Sequence, residues 1–201
     1  MFTTARVDRS GLTTRDFISI GVFTALIFVI IFGTGMLGFI PILMFVGFFL
    51  GIIGVGIVFA LFTARTPKFG AVTIMSLLIS LFFMGTGHWA GGIIFALVGG
   101  LCADLVITRG PSRAMVRVPI AYALFIVPLY ISPWVPLFLD RDAYVAGIEQ
   151  EMGAEYAAKL FDIVTPTTLL ILFAVMFVIA LGSGALGVAI GRKHFERAGL
   201  V

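Results

Sequence analysis

His88 and Trp89 stand inside a run of glycines, Gly85-Thr86-Gly87-His88-Trp89-Ala90-Gly91-Gly92. Glycines let a loop fold tightly over something, and an imidazole held there can hydrogen-bond a ligand or ligate a metal. The plainer reading is a loop-stabilising hydrogen bond for the ring and an aromatic-belt position for the indole. Asp104 ends a series of small residues, Gly92, Ala96 and Gly100, spaced by four. A carboxylate deep in lipid costs about 2.5–3.5 kcal/mol on insertion scales. A structural pairing with a base such as Arg109 is therefore favoured over proton coupling or subunit contact. Gly21 and Ala25 form a small-x-x-x-small pair, read either as packing inside the protein or as a docking surface for a second membrane subunit.

Several chemistries are missing from this sequence. The single Cys102 allows no internal disulfide. Two widely separated histidines (His88 and His194) with one cysteine do not make a zinc site. There is no His-Glu-x-x-His. Leu181-Gly182-Ser183-Gly184 lacks the first glycine of the intramembrane serine protease pattern. No Gly-x-x-x-x-Gly-Lys phosphate loop occurs, so energy for any driven transport comes from another chain. The chain is expected to be no enzyme.

The elements that must position these residues are apolar. The 201 residues are 61% hydrophobic and 11% charged, against about 25% charged in a soluble domain. Runs of spanning length centre on 17–32, 39–62, 69–84, 91–107, 118–139 and 166–190. A helix needs about 20 apolar residues to cross the hydrocarbon, so six helices use most of the chain. Of 13 basic residues, 11 fall on alternate breaks: Arg6, Arg9 and Arg15; Arg65 and Lys68; Arg109, Arg113 and Arg117; Arg192, Lys193 and Arg197. Basic residues stay on the cytoplasmic side. The fold expected is an all-α membrane domain over 1–201 with six transmembrane helices. Its tails, 1–14 and 192–201, are cytoplasmic, and its outer loop is 140–164. The net charge of +3 suits anionic inner-leaflet headgroups, not nucleic acid. The N-terminus makes a poor cleavable signal.

Local signals punctuate the helices. Thr13 and Asp16 resemble a capping box, Pro41 suits a first helical turn, and Thr66-Pro67-Lys68 makes a short inner turn. Pro119, Pro128, Pro133 and Pro136 predict kinks and an irregular outer end for the fifth helix. In the fifth break, Val145, Ile148, Met152, Tyr156 and Leu160 follow helical spacing, and Glu155 pairs with Lys159 at i,i+4. One short amphipathic helix lying over the bundle is expected. Six acidic residues, Asp140, Asp142, Glu149, Glu151, Glu155 and Asp162, gather in the same break.

Asp16-Phe-Ile-Ser-Ile-Gly21-Val-Phe-Thr-Ala25 and Gly35-Met-Leu-Gly38-Phe-Ile-Pro41-Ile-Leu-Met44 resemble the Trep_Strep (MptD-type) S components of energy-coupling factor (ECF) transporters. Thr86-Gly87-His88-Trp89 and Leu101-Cys102-Ala103-Asp104-Leu105 are similar to that family too, so the resemblance spans about 12–195. It implies a six-helix S component of the plasma membrane that captures a substrate outside. Such a component docks on a membrane scaffold (T) subunit carrying two cytoplasmic ATPases, topples, and releases its cargo inside. It also implies docking through an Ala-x-x-x-Ala-like pair in helix 1, here Gly21 and Ala25. The ligand is expected in the outer half of the bundle, against Met36, Met44, Met84, Trp89, Tyr130 and Trp134, with His88 as its polar contact. Haem, with His88 as axial ligand, leads as cargo; a small vitamin-like metabolite follows. A self-contained ion-coupled carrier and an intramembrane enzyme are the alternatives.

Overall fold

The computed structural model describes residues 11–110, 113–191 and 193. Arg6, Arg9, Pro111, Arg192, His194 and Arg197 lie outside the described residues. Every described element is helical. In chain order they are α1 (Thr14–Gly35), a 3-10 turn (Met36–Phe39), α2 (Pro41–Arg65), α3 (Ala71–Gly85), α4 (Gly92–Arg109) and α5 (Ala114–Ile131). A second 3-10 turn (Ser132–Trp134), α6 (Pro136–Leu139), α7 (Arg141–Met152), α8 (Ala154–Ile163) and α9 (Pro166–Ile190) follow.

The caps explain the boundaries. Asp16 Oδ2 accepts from the Thr13 backbone N–H (2.7 Å) and the Thr13 hydroxyl (2.6 Å), closing the start of α1. The Lys68 ammonium reaches the same oxygen at 2.9 Å, tying the α2–α3 turn to the α1 end. Pro41 takes the first helical position of α2, where its missing N–H costs little.

Six helices close a ring. α1 packs on α2, α2 on α9, α9 on α5, α5 on α4, α4 on α3, and α3 back on α1. One half of this ring is tall: α1, α2 and α9 have 22, 25 and 25 residues. The other half is shorter: α5, α4 and α3 have 18, 18 and 15. Among the described residues five helices are long and apolar enough to cross a membrane: those in Thr14–Phe39, Pro41–Arg65, Gly92–Arg109, Ala114–Trp134 and Pro166–Ile190. The sixth expected span, α3, is apolar but rises only about 22 Å, short of a hydrocarbon core of about 30 Å.

Close approach of backbones makes the ring tight. At the α2–α9 crossing, a Cβ on Gly187 would lie 2.5 Å from the Gly56 carbonyl oxygen and 2.8 Å from the Ala60 Cβ. Ser183, one turn earlier on α9, donates its hydroxyl to the Ile53 carbonyl at 2.9 Å. Inside the ring Tyr122 is fully buried and donates to the Ile52 carbonyl. Its ring packs against Phe59, which stacks on Phe125. Apolar dispersion and a few satisfied hydroxyls hold the centre, as expected where lipid removes most of the hydrophobic drive between helices.

Asp104 is fully buried, and its partner is not a base. Oδ1 accepts from the Val72 N–H at 3.0 Å; Oδ2 accepts from the Thr73 N–H at 2.9 Å and the Thr73 hydroxyl at 2.6 Å. The two N–H groups are orphan donors in the first turn of α3, whose own N-cap, Gly70, has no side chain to offer. α4 therefore caps α3 from outside. The expected pairing with Arg109 is replaced by this one, because a helix N-terminus supplies N–H donors and partial positive charge together.

The segment between α5 and α9 has the irregular outer end expected of its prolines and departs from expectation only further on. Pro119 and Pro128 sit within α5, while Pro133 and Pro136 fall in the 3-10 turn and at the start of α6. The single amphipathic helix expected over 140–164 is two, α7 and α8. They break at Gly153, which holds φ +92°, a conformation that favours glycine.

Candidate functional site

α3 ends in a Schellman motif. The His88 N–H bonds the Phe83 carbonyl at 3.1 Å, the Gly87 N–H bonds the Met84 carbonyl at 3.2 Å, and Gly87 supplies the left-handed φ of +92°. The cap turns the chain so that His88 leaves the helix axis. Its Nδ1 lies 3.1 Å from the Thr86 hydroxyl, and its ring centroid is 5.1 Å from that of Phe83. Trp89 then folds its indole back over Gly91, where a Cβ would collide with it.

These side chains line a cavity of about 920 Å³ at the end of the ring that carries α6–α8. Ile31 of α1, Phe48 of α2, Ser80 of α3 and Tyr130 of α5 contribute from the ring. The α1–α2 turn and the His88–Trp89 loop form parts of its rim, and α7 and α8 lie over it through Tyr144, Ile148, Glu151 and Tyr156. Ligand pockets run about 300–1,000 Å³ and are mostly apolar with a few placed polar groups. The Tyr156 hydroxyl donates to the Gly38 carbonyl at 2.6 Å, tying α8 to the α1–α2 turn. α7 packs on α6 and α8 and buries no residue of its own.

Of the residues singled out by sequence, Met36, Met44, His88, Trp89, Tyr130 and Trp134 share this lining. Met84 does not. It is 45% exposed and sits one position on from Phe83, about 100° round the helix, so it turns away while Phe83 faces in. Sequence reasoning missed Ser80, Asp140, Tyr144, Glu151 and Tyr156 as lining residues. The acidic run of 140–162 is the available signal for two of them. Ser80 is a lone hydroxyl in an apolar helix and announces nothing.

The electrostatics of the lining have one sign. It contains Asp140 and Glu151 and no Lys or Arg among the described residues. Asp140 Oδ1 accepts from the Ala143 N–H at 3.0 Å as the N-cap of α7. Desolvation pushes the His88 pKa below its ordinary 6.5, against the opposing pull of hydrogen bonding to Phe83 and of the Glu151 charge. Burial raises the Tyr144 phenol to about 12. Among the described residues no group of three His, Cys, Asp or Glu could hold a metal ion.

Gly21 and Ala25 lie elsewhere, on the exposed face of α1. A Cβ at Gly21 would meet nothing within 4 Å. Ile18, Val22 and Val29 around them are 64%, 54% and 67% exposed. This pair takes no part in packing the ring.

The family model for a hypothetical bacterial integral membrane protein (Trep_Strep) matches residues 14–197. No curated protein and no solved structure matches the chain.

Proposed function

The chain belongs to the Trep_Strep family of bacterial integral membrane proteins, and from that premise we propose that it captures a small ligand as the S component of an ECF importer. On this reading the six ring helices cross the plasma membrane, both termini are cytoplasmic, and α6–α8 lie outside. The basic ends of the helices support that orientation. Arg15, Arg65, Lys68, Arg109, Arg113 and Arg117 all sit at the end of the ring away from the cavity. The observation that carries the proposal is the cavity itself: ligand-sized, aromatic and methionine-rich, and covered by helices that pack lightly on the ring. The subunit has no catalytic activity of its own. It docks through the exposed Gly21–Ala25 face onto a membrane scaffold with two cytoplasmic ATPases, which supply the energy.

Haem fits the lining less well than a smaller guest. Its two propionates would find no described Lys or Arg in the lining to receive them, and the charged residues there are Asp140 and Glu151, although His88 stands on the wall.

Affinity purification from native membranes under gentle detergent, followed by native mass spectrometry, tests the reading. A scaffold chain, two ATPase chains and a retained small molecule are expected. Purification of the chain without ATPases, under conditions that preserve other ABC assemblies, overturns it. Cysteine labelling at position 151 in a Cys102→Ala background tests orientation: reaction only from the cytoplasmic side refutes it.

A further inference from the structure

Two hydroxyls in the cavity wall have no partner. Ser80 and Tyr130 are 7% and 8% exposed, both line the cavity, and neither forms a hydrogen bond within the described residues. Ser80 lies on α3 more than a turn before its end, and the Tyr130 hydroxyl reaches mid-α2, 2.5 Å from where a Cβ on Gly51 would lie, so both belong to the deep part of the cavity. Both hydroxyls open on the cavity, so a guest with a hydrogen-bonding group can engage them in place of water. Glu151 of α7, an exposed residue that also contributes to the lining, makes no hydrogen bond or ion pair within the described residues. Its charge is nonetheless felt at His88 across the rim. Asp140, the second carboxylate, already caps α7. The indoles of Trp89 and Trp134 and the rings of Tyr144 and Phe48 share the same lining. Aromatic faces attract cations within about 6 Å, and Lys and Arg are absent from the described lining.

We propose that this cavity takes an amphipathic organic cation: an apolar body with one protonated nitrogen, held at Glu151 of α7, and a hydrogen-bonding group directed at Ser80 and Tyr130. This rests on the ligand-capture reading and narrows it. Anionic guests are disfavoured by the uncompensated carboxylate, and purely apolar guests leave three polar groups unanswered.

The chain has two tryptophans, and both line the cavity, so intrinsic fluorescence reports occupancy without a label. The full-length protein in nanodiscs would be titrated with phenylbutylammonium, phenylbutanol and phenylbutyrate, three probes sharing one apolar body. The ammonium is expected to bind about tenfold tighter than the alcohol, and the carboxylate weaker than either. Glu151→Gln should erase the ammonium's advantage and leave the alcohol unchanged. Glu149→Gln removes an equal charge from the same helix at a residue outside the lining, and should change neither. Equal binding of ammonium and alcohol, or equal effects of the two substitutions, overturns the cation assignment while saturable alcohol binding keeps the ligand-capture reading. If none of the three probes changes the emission saturably, no apolar guest enters, and both readings fall.

Discussion

Replacing Asp104 tests whether α3 depends on its neighbour for an N-terminus. The carboxylate receives three donors, two of them backbone N–H groups that have no other place to turn. In Asp104→Ala the Thr73 hydroxyl can rotate toward a helix carbonyl, but the N–H groups of Val72 and Thr73 stay buried and unpaired. At about 1–3 kcal/mol for each unsatisfied group, the loss is ~2–6 kcal/mol. Asp104→Asn keeps one acceptor but turns an NH₂ toward the other donor, so about half that loss is expected. Thr73→Val removes only the hydroxyl bond and should cost ~1.5–3 kcal/mol in the native background, because its acceptor is charged. In the Asp104→Ala background it should cost well under about 1 kcal/mol, since the bond is already gone. Unfolding free energies in mixed micelles, measured for the four corners of this cycle, give the answer. A loss below ~1 kcal/mol in Asp104→Ala, or a Thr73 effect of equal size in both backgrounds, refutes the capping argument. A proton-coupling residue would behave differently: the Asn variant would fold normally and lose only transport.

Gly187→Leu should prevent folding, because even a Cβ there meets the Gly56 carbonyl at 2.5 Å; monodispersity by size exclusion, compared with Gly182→Leu, where no atom lies within 4 Å, checks it. Gly21→Leu with Ala25→Leu should leave the isolated chain's melting temperature unchanged, since that face touches nothing, while ATPase co-purification is lost. The depressed pKa of His88 makes protonation cheaper in the unfolded chain than in the folded one. Its contribution is therefore full above the ordinary value of 6.5 and falls as pH drops from there toward the lower folded value. Thermal melts across that range should show a slope that His88→Gln flattens, and an unchanged slope contradicts the assignment.

The sequence carried the helices because punctuation and hydropathy are local. Thr13 and Asp16, Pro41, and the glycines around Thr86 mark ends that the fold respects to within a few residues. The fifth break was half legible. Ile148, Met152, Tyr156 and Leu160 all line the cavity, yet helical spacing alone did not show that Gly153 would turn the backbone and divide them between two helices. Asp104 illustrates the opposite limit. Its donors lie 32 and 31 residues away, and only the ring order of helices brings the start of α3 beneath the end of α4. A nearby arginine was the best local guess, and a distant helix terminus won because it offered aligned donors. The cavity was legible as a set of large side chains near loops. Which of them face inward depends on helix phase, as Met84 shows, and the sign of its lining depends on where α7 settles.

The uneven ring has a consequence for the bilayer. Helices of 22–25 residues stand along one half and of 15–18 along the other, so their axial rises differ by roughly 10 Å. On the proposed six-span reading, lipid of one thickness does not match both sides. The short side is accommodated by thinning the adjacent leaflets, or the whole domain leans until the tall helices lie at a slant, each at a fraction of a kcal/mol per Å. The resting orientation is thus set jointly by protein and lipid, and acyl-chain length becomes a lever on it. In thicker membranes the short half is stretched most, and the lean should decrease; in thinner ones it should grow.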